Sequence, residues 1–139
     1  MSMLGDLIYE GNGRIIGQRI VAVEPRIKVE NTILLDGRIH GNVNITDIGT
    51  FINTITESTI YHSEGYGLMT TLDGKEMVIW TAQGIHEPIK ESDKSLFRGS
   101  AFYHTISKGK LAFLNNKMTI FESEVDNTGC ILNKEWEWK

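Results

Sequence analysis

The sequence predicts an all-β chain: a single antiparallel β-barrel of about eight strands, hairpin-connected, with the C-terminal strand closing it. Three observations carry this. Apolar residues recur with a period of two along most of the chain, and no long stretch shows a clean helical period. Turn dipeptides punctuate the runs at Asn12-Gly13, Asp36-Gly37, Asp73-Gly74, Lys108-Gly109 and Thr128-Gly129. The strand pattern also continues to the last residues, Lys134-Glu135-Trp136-Glu137-Trp138-Lys139. A terminus frays unless it is tied into a sheet, so this last strand is expected to close the barrel.

The elements follow in order. Strands are expected near 6–10, 14–24, 27–35, 38–46, 50–71 (bent or split), 76–86, 97–106, 110–114, 117–126 and 130–138, with a polar loop over 86–96. In 27–45 the apolar residues Ile27, Val29, Ile33, Leu35, Ile39, Val43 and Ile45 are all odd-numbered. A three-residue loop ending at Gly37 preserves that parity and sets Ile33 opposite Ile39 and Val29 opposite Val43. His40 then lies on the polar face beside Arg38 and Asn42. The same loop at Asp73-Gly74 pairs Thr71 with Lys75 and brings Leu68 beside Val78 and Tyr66 beside Trp80. At the C-terminal hairpin two registers compete. A bulged loop sets Glu122 opposite Lys134. A two-residue turn sets Phe121 opposite Trp136 and Val125 opposite Leu132, which gives a clean apolar face and is favoured on burial.

Residues 1–139 make one domain by length. A net charge of −4 without a basic run argues against nucleic acid, whose phosphates need a basic face. One cysteine, Cys130, excludes an intramolecular disulfide. The start lacks a signal-peptide pattern, and no apolar run reaches the roughly 20 residues of a spanning helix. The expectation is a cytoplasmic chain without membrane insertion.

The leading candidate site is the stripe His62, Glu64, Tyr66 and Trp80. Residues two apart share a strand face, and an aromatic-lined barrel interior with a titratable pair suits a small, mostly apolar ligand. A carboxylate near a histidine could also act as a general base; the structural alternative is a stripe divided between core and solvent. His40, His62, His86 and His104 lie on separate segments without a ligand-spaced pair, so no metal is expected. No cofactor is expected either: Gly65-Tyr66-Gly67 lacks the lysine and following helix of a phosphate loop. Glu122, Glu124, Glu135 and Glu137 read as a solvated outer face, although paired carboxylates can do acid–base work. Cys130 has no local base or dipole to activate it.

Two short segments carry a family resemblance. Lys110-Leu111-Ala112-Phe113-Leu114-Asn115-Asn116 leads into Met118-Thr119-Ile120-Phe121-Glu122, and Ile8-Tyr9-Glu10-Gly11-Asn12 forms an early strand. Both resemble stretches of the allene oxide cyclase-like barrel superfamily. That resemblance implies an eight-stranded barrel with an apolar cavity, in which Glu10 faces the substrate and Asn12 helps hold a water. Asn115-Asn116 replaces the family's glycine-rich turn, and Gly17-Gln18-Arg19 stands where the family carries Ser-Pro. Lipocalins are the competing barrel, but their early G-x-W signature is absent. Three functions follow as expectations. The first is a non-catalytic barrel binding a small apolar ligand. The second is an isomerase or cyclase of a lipid-derived substrate using Glu10 and Asn12. The third is a structural homo-oligomer without catalysis.

Overall fold

The computed structural model describes residues 3–56 and 59–139. Eight strands form a closed antiparallel barrel: β1 (Leu4–Ala22), β2 (Lys28–Ile39), β3 (Val43–Ile55), β4 (Tyr61–Thr71), β5 (Met77–Pro88), β6 (Ser95–His104), β7 (Met118–Val125) and β8 (Cys130–Trp138). Each strand pairs with its chain neighbours, and β8 returns to pair with β1. The final strand therefore closes the barrel as the sequence predicts. Among the described residues no helix is long and apolar enough to cross a membrane.

The strands alternate inward and outward residues, as the period-two pattern requires. Two glycine dipeptides expected at turns instead lie inside strands. β1 runs unbroken through Asn12-Gly13, so the 6–10 and 14–24 runs are one strand. β2 runs through Asp36-Gly37, where a methyl group on Gly37 would overlap the Tyr9 ring. Glycine there makes room for an aromatic side chain. The β2–β3 turn falls at His40-Gly41, both at positive φ (51° and 76°), and the Asn42 N–H donates to the Ile39 carbonyl at 3.2 Å. Ile33 therefore faces Gly49 and Val29 faces Asn53, not Ile39 and Val43. His40 is a turn residue stacked on Phe113, with 4.7 Å between ring centroids.

The 50–71 run is split between β3 and β4; its residues 57–58 lie outside the described residues. Asp73-Gly74 does form a turn, but the loop holds four residues, and the Thr71 N–H donates to the Glu76 carbonyl at 3.1 Å. That one-residue difference pairs Gly67 with Trp80 and Tyr66 with Thr81. At the last hairpin a three-residue loop ends in Gly129 at φ 89°. It sets Glu122 opposite Lys134 and Phe121 opposite Glu135, which is the bulged register and not the one favoured on apolar burial. Trp136 is half-buried opposite Ile120, and Trp138 is 41% exposed.

The 110–114 segment is not a strand. It carries a 3-10 turn, Ala112–Leu114, in the β6–β7 connection. Leu111 and Leu114 are fully buried, and the Glu76 carboxylate accepts from the Leu111 N–H at 3.0 Å and the Lys110 N–H at 3.2 Å. With Ile39, Ile45, Met69 and Val78, these leucines form an apolar layer that seals one end of the barrel.

Candidate functional site

Above that sealed layer the barrel holds a cavity of about 70 Å³. Its lining residues grade from buried Asp47, Tyr103 and Glu135 to partly exposed Ile15, Asn31 and His86, so it opens at the end opposite that layer. One wall is aromatic. Trp80 lies 5.5 Å from Phe51, Phe51 meets Phe97 edge-on at 5.1 Å, and Phe97 meets Phe121 at 5.0 Å. Edge-to-face pairs of this kind add to simple area burial. Trp80 fits because β3 and β4 present Gly49 and Gly67 beneath it, where any side chain would overlap the indole.

Two carboxylates sit in this interior. Asp47 on β3 is 3% exposed and Glu135 on β8 is 6% exposed. Asp47 accepts hydrogen bonds from the Tyr9 hydroxyl at 2.8 Å and from Trp80 Nε1 at 2.7 Å. Glu135 accepts from the Tyr103 hydroxyl, from Thr119 Oγ1 at 2.8 Å and from Asn133 Nδ2 at 2.9 Å. Ser123 donates to Asn133 Oδ1 at 2.6 Å and so fixes which end of that amide meets Glu135.

Burial dominates the electrostatics. It pushes the Asp47 carboxyl up to about 7, against the lowering effect of the Tyr9 and Trp80 hydrogen bonds, and the Glu135 charge adds to the rise. Glu135 is raised for the same reason, with its three donors opposing. Burial first, then the neighbouring carboxylates, hold Tyr9 and Tyr103 well above the ordinary phenol range, so both remain donors. At the rim, burial lowers the pKa of His86, whose ring shares a hydrogen bond with the Ser95 hydroxyl and stacks near Phe97.

Of the stripe expected from sequence, only Trp80 points inward. His62, Glu64 and Tyr66 lie on the outer wall, with Tyr66 63% exposed, because the four-residue β4–β5 loop puts even residues of β4 outside. Glu10 and Asn12 also face outward. They border a shallow outer depression with Arg38 and Lys134, the strand partners of Glu10 on either side. Glu122 and Glu124 are exposed, and Glu137 pairs with Lys117 at 3.2 Å; Glu135 departs from the expected solvated face by turning into the core. Cys130 is exposed. Among the described residues no three His, Cys, Asp or Glu side chains converge as metal ligands.

Sequence reasoning missed Asp47, Glu135, Tyr9 and Tyr103 as a set. A signal for Asp47 was present. It continues the odd-numbered apolar phase of Val43 and Ile45 toward Phe51, and a carboxylate in an apolar phase marks a buried acid. Glu135 carried no such mark, because its phase depends on a loop length.

The architecture recurs in solved structures. One is a conserved protein of unknown function from Rhodopseudomonas palustris, with 13% identity and a TM-score of 0.74 over 99% of this chain and 98% of that one. Another is a protein of unknown function from Clostridium acetobutylicum, with 12% identity and a TM-score of 0.72 over 96% of this chain and 98% of that one. At such identity the likeness shows the fold alone. Neither a protein-family model nor a curated protein matches the chain.

Proposed function

We propose that this barrel binds one small ligand in its interior. The observation that carries the reading is the cavity itself: open at one end, aromatic on its wall, and furnished with two buried carboxylates. Convergent polar groups in an otherwise apolar pocket are the usual form of a ligand site. The ligand is compact. The volume of about 70 Å³ lies well below the roughly 300–1,000 Å³ of sites for drug-sized molecules. A long acyl chain does not fit, and the outward Glu10 and Asn12 do not support the cyclase reading.

The test is a thermal-shift screen of compact cyclic and aromatic molecules on the wild type and on Ala101→Leu, which fills the cavity from β6. Ligands that stabilise the wild type and not the variant support the reading. A screen without any stabilising compound rejects it.

A second reading, a homo-oligomer, is favoured by one feature of the outer wall. Leu34, Ile48, Leu68 and Ile79 lie side by side in register across β2–β5, flanked by exposed Tyr66 and Phe102. An uncharged apolar row with polar surroundings matches the core-and-rim pattern of interfaces. Light scattering at micromolar concentration tests it: Ile79→Lys should convert an oligomer to a monomer, and a monomeric wild type excludes it.

A further inference from the structure

The polar groups around the cavity share one bias. Asp47 and Glu135 accept hydrogen bonds from five donors, of which two, Trp80 Nε1 and Asn133 Nδ2, can only donate. These donors favour the ionised acids, while burial opposes their charge. Yet no Lys or Arg lines the cavity, and among the described residues neither acid takes part in an ion pair; the ion pairs Arg19–Glu30, Lys94–Glu124, Arg98–Glu87 and Lys117–Glu137 involve neither.

Acceptor capacity also remains. A carboxylate offers about four lone-pair sites, of which Asp47 uses two and Glu135 three. Both residues line the cavity, as do the rings of Phe51, Phe97 and Phe121. Buried charge is tolerable when it is paired, and aromatic rings add attraction for a cation held against them. Among the described lining residues the one side chain able to carry positive charge is His86 at the rim, whose pKa burial lowers, so a compact cationic donor would complete the interior.

We propose that the cavity recognises a compact organic cation, a protonated amine with a small apolar body. Its N–H groups bind Asp47 and Glu135, and its hydrocarbon part packs on the phenylalanine wall. This inference rests on the interior-binding reading above and adds the charge of the ligand to it.

Calorimetric titration of the full chain with propylamine and cyclopentylamine, against the isosteric alcohols 1-propanol and cyclopentanol, tests both. At pH 7.5 the amines are protonated, since alkylamines titrate near the lysine value of about 10.4. At least one amine should bind ten-fold or more tightly than its alcohol, and Asp47→Asn or Glu135→Gln should remove most of that preference. Alcohols that bind as tightly as the amines, or an amine preference unchanged in both variants, overturn the charge assignment and leave interior binding standing. If neither amines nor alcohols bind, and the wider compact-ligand screen also fails, both readings fall. The amine-to-alcohol comparison uses the wild type alone, so a variant that misfolds does not remove the test.

Discussion

Replacing Asp47 by Asn should change stability in a strongly pH-dependent way. Burial raises the Asp47 pKa from 3.8 to about 7, and the Tyr9 and Trp80 hydrogen bonds offset this only in part. Unfolded, the carboxyl ionises near its ordinary value, so between the two pKa values the folded state binds more protons. The stability this group contributes is fully present below the unfolded pKa and is lost as the pH rises through 7. Each pKa unit corresponds to about 1.4 kcal/mol, so above pH 8 the loss reaches about 4 kcal/mol, of which about 2.5 kcal/mol arises between pH 5 and pH 8. Asparagine does not titrate. It keeps the shape and one acceptor, at the cost of about one hydrogen bond at every pH. The stability of Asp47→Asn relative to wild type should therefore improve by about 2.5 kcal/mol from pH 5 to pH 8. Urea unfolding of both proteins at both pH values, with matched m-values, measures this. Glu135 titrates in both proteins and largely cancels in the difference. A relative stability constant within about 0.5 kcal/mol across that range would refute the burial argument, because Asp47 would then be ionised throughout.

Trp80→Phe should cost about 2–3 kcal/mol in urea unfolding, because it removes an indole donor from a buried carboxylate; an unchanged midpoint would place the indole elsewhere. Gly37→Ala should cost about 1–3 kcal/mol, since the added methyl must displace the buried Tyr9 ring. In β8 the order of two substitutions reads out the register. Glu135→Ala leaves three donors without their acceptor, at about 1–3 kcal/mol for each unsatisfied group. Trp136→Ala, at a half-buried outer position, should stay below the roughly 3–5 kcal/mol of a buried tryptophan. A costlier Trp136→Ala would mean that Trp136 and not Glu135 faces the core.

The barrel was legible because strand periodicity is local. Val43 to Asn53 alternates inward and outward whether or not the partner strands are known. Closure was legible from Trp136 and Trp138 continuing a strand pattern to the terminus. Register was not, because it depends on loops and packing. Asp36-Gly37 and Asp73-Gly74 are the same dipeptide, yet one underlies the Tyr9 ring inside β2 and the other sits in a four-residue turn. The dipeptide alone does not distinguish a glycine needed for its positive φ from one needed for its missing Cβ. Each one-residue slip reverses a whole face. That is why Trp80 separated from His62, Glu64 and Tyr66.

The C-terminal hairpin exposes a deeper reason. Register is ordinarily chosen by placing every large apolar group on one face, which for β7 and β8 selects Phe121 opposite Trp136. The protein adopts the alternative and buries Glu135 beside Tyr103, Thr119 and Asn133. An apolar replacement of similar volume would often be as stable or more so, so burial energetics alone do not favour this choice. Nor is Glu135 isolated: Asp47, carried by β3, lines the same cavity, and the Glu135 charge contributes to its raised pKa. Two acids on non-adjacent strands, each surrounded by donors and both lining the same aromatic-walled cavity, would be explained together by the proposed cation. A stabilising role would have to be argued separately for each. Perturbed carboxyls cluster at functional sites, and the proposed occupant would account for a β8 register that turns Glu135 inward.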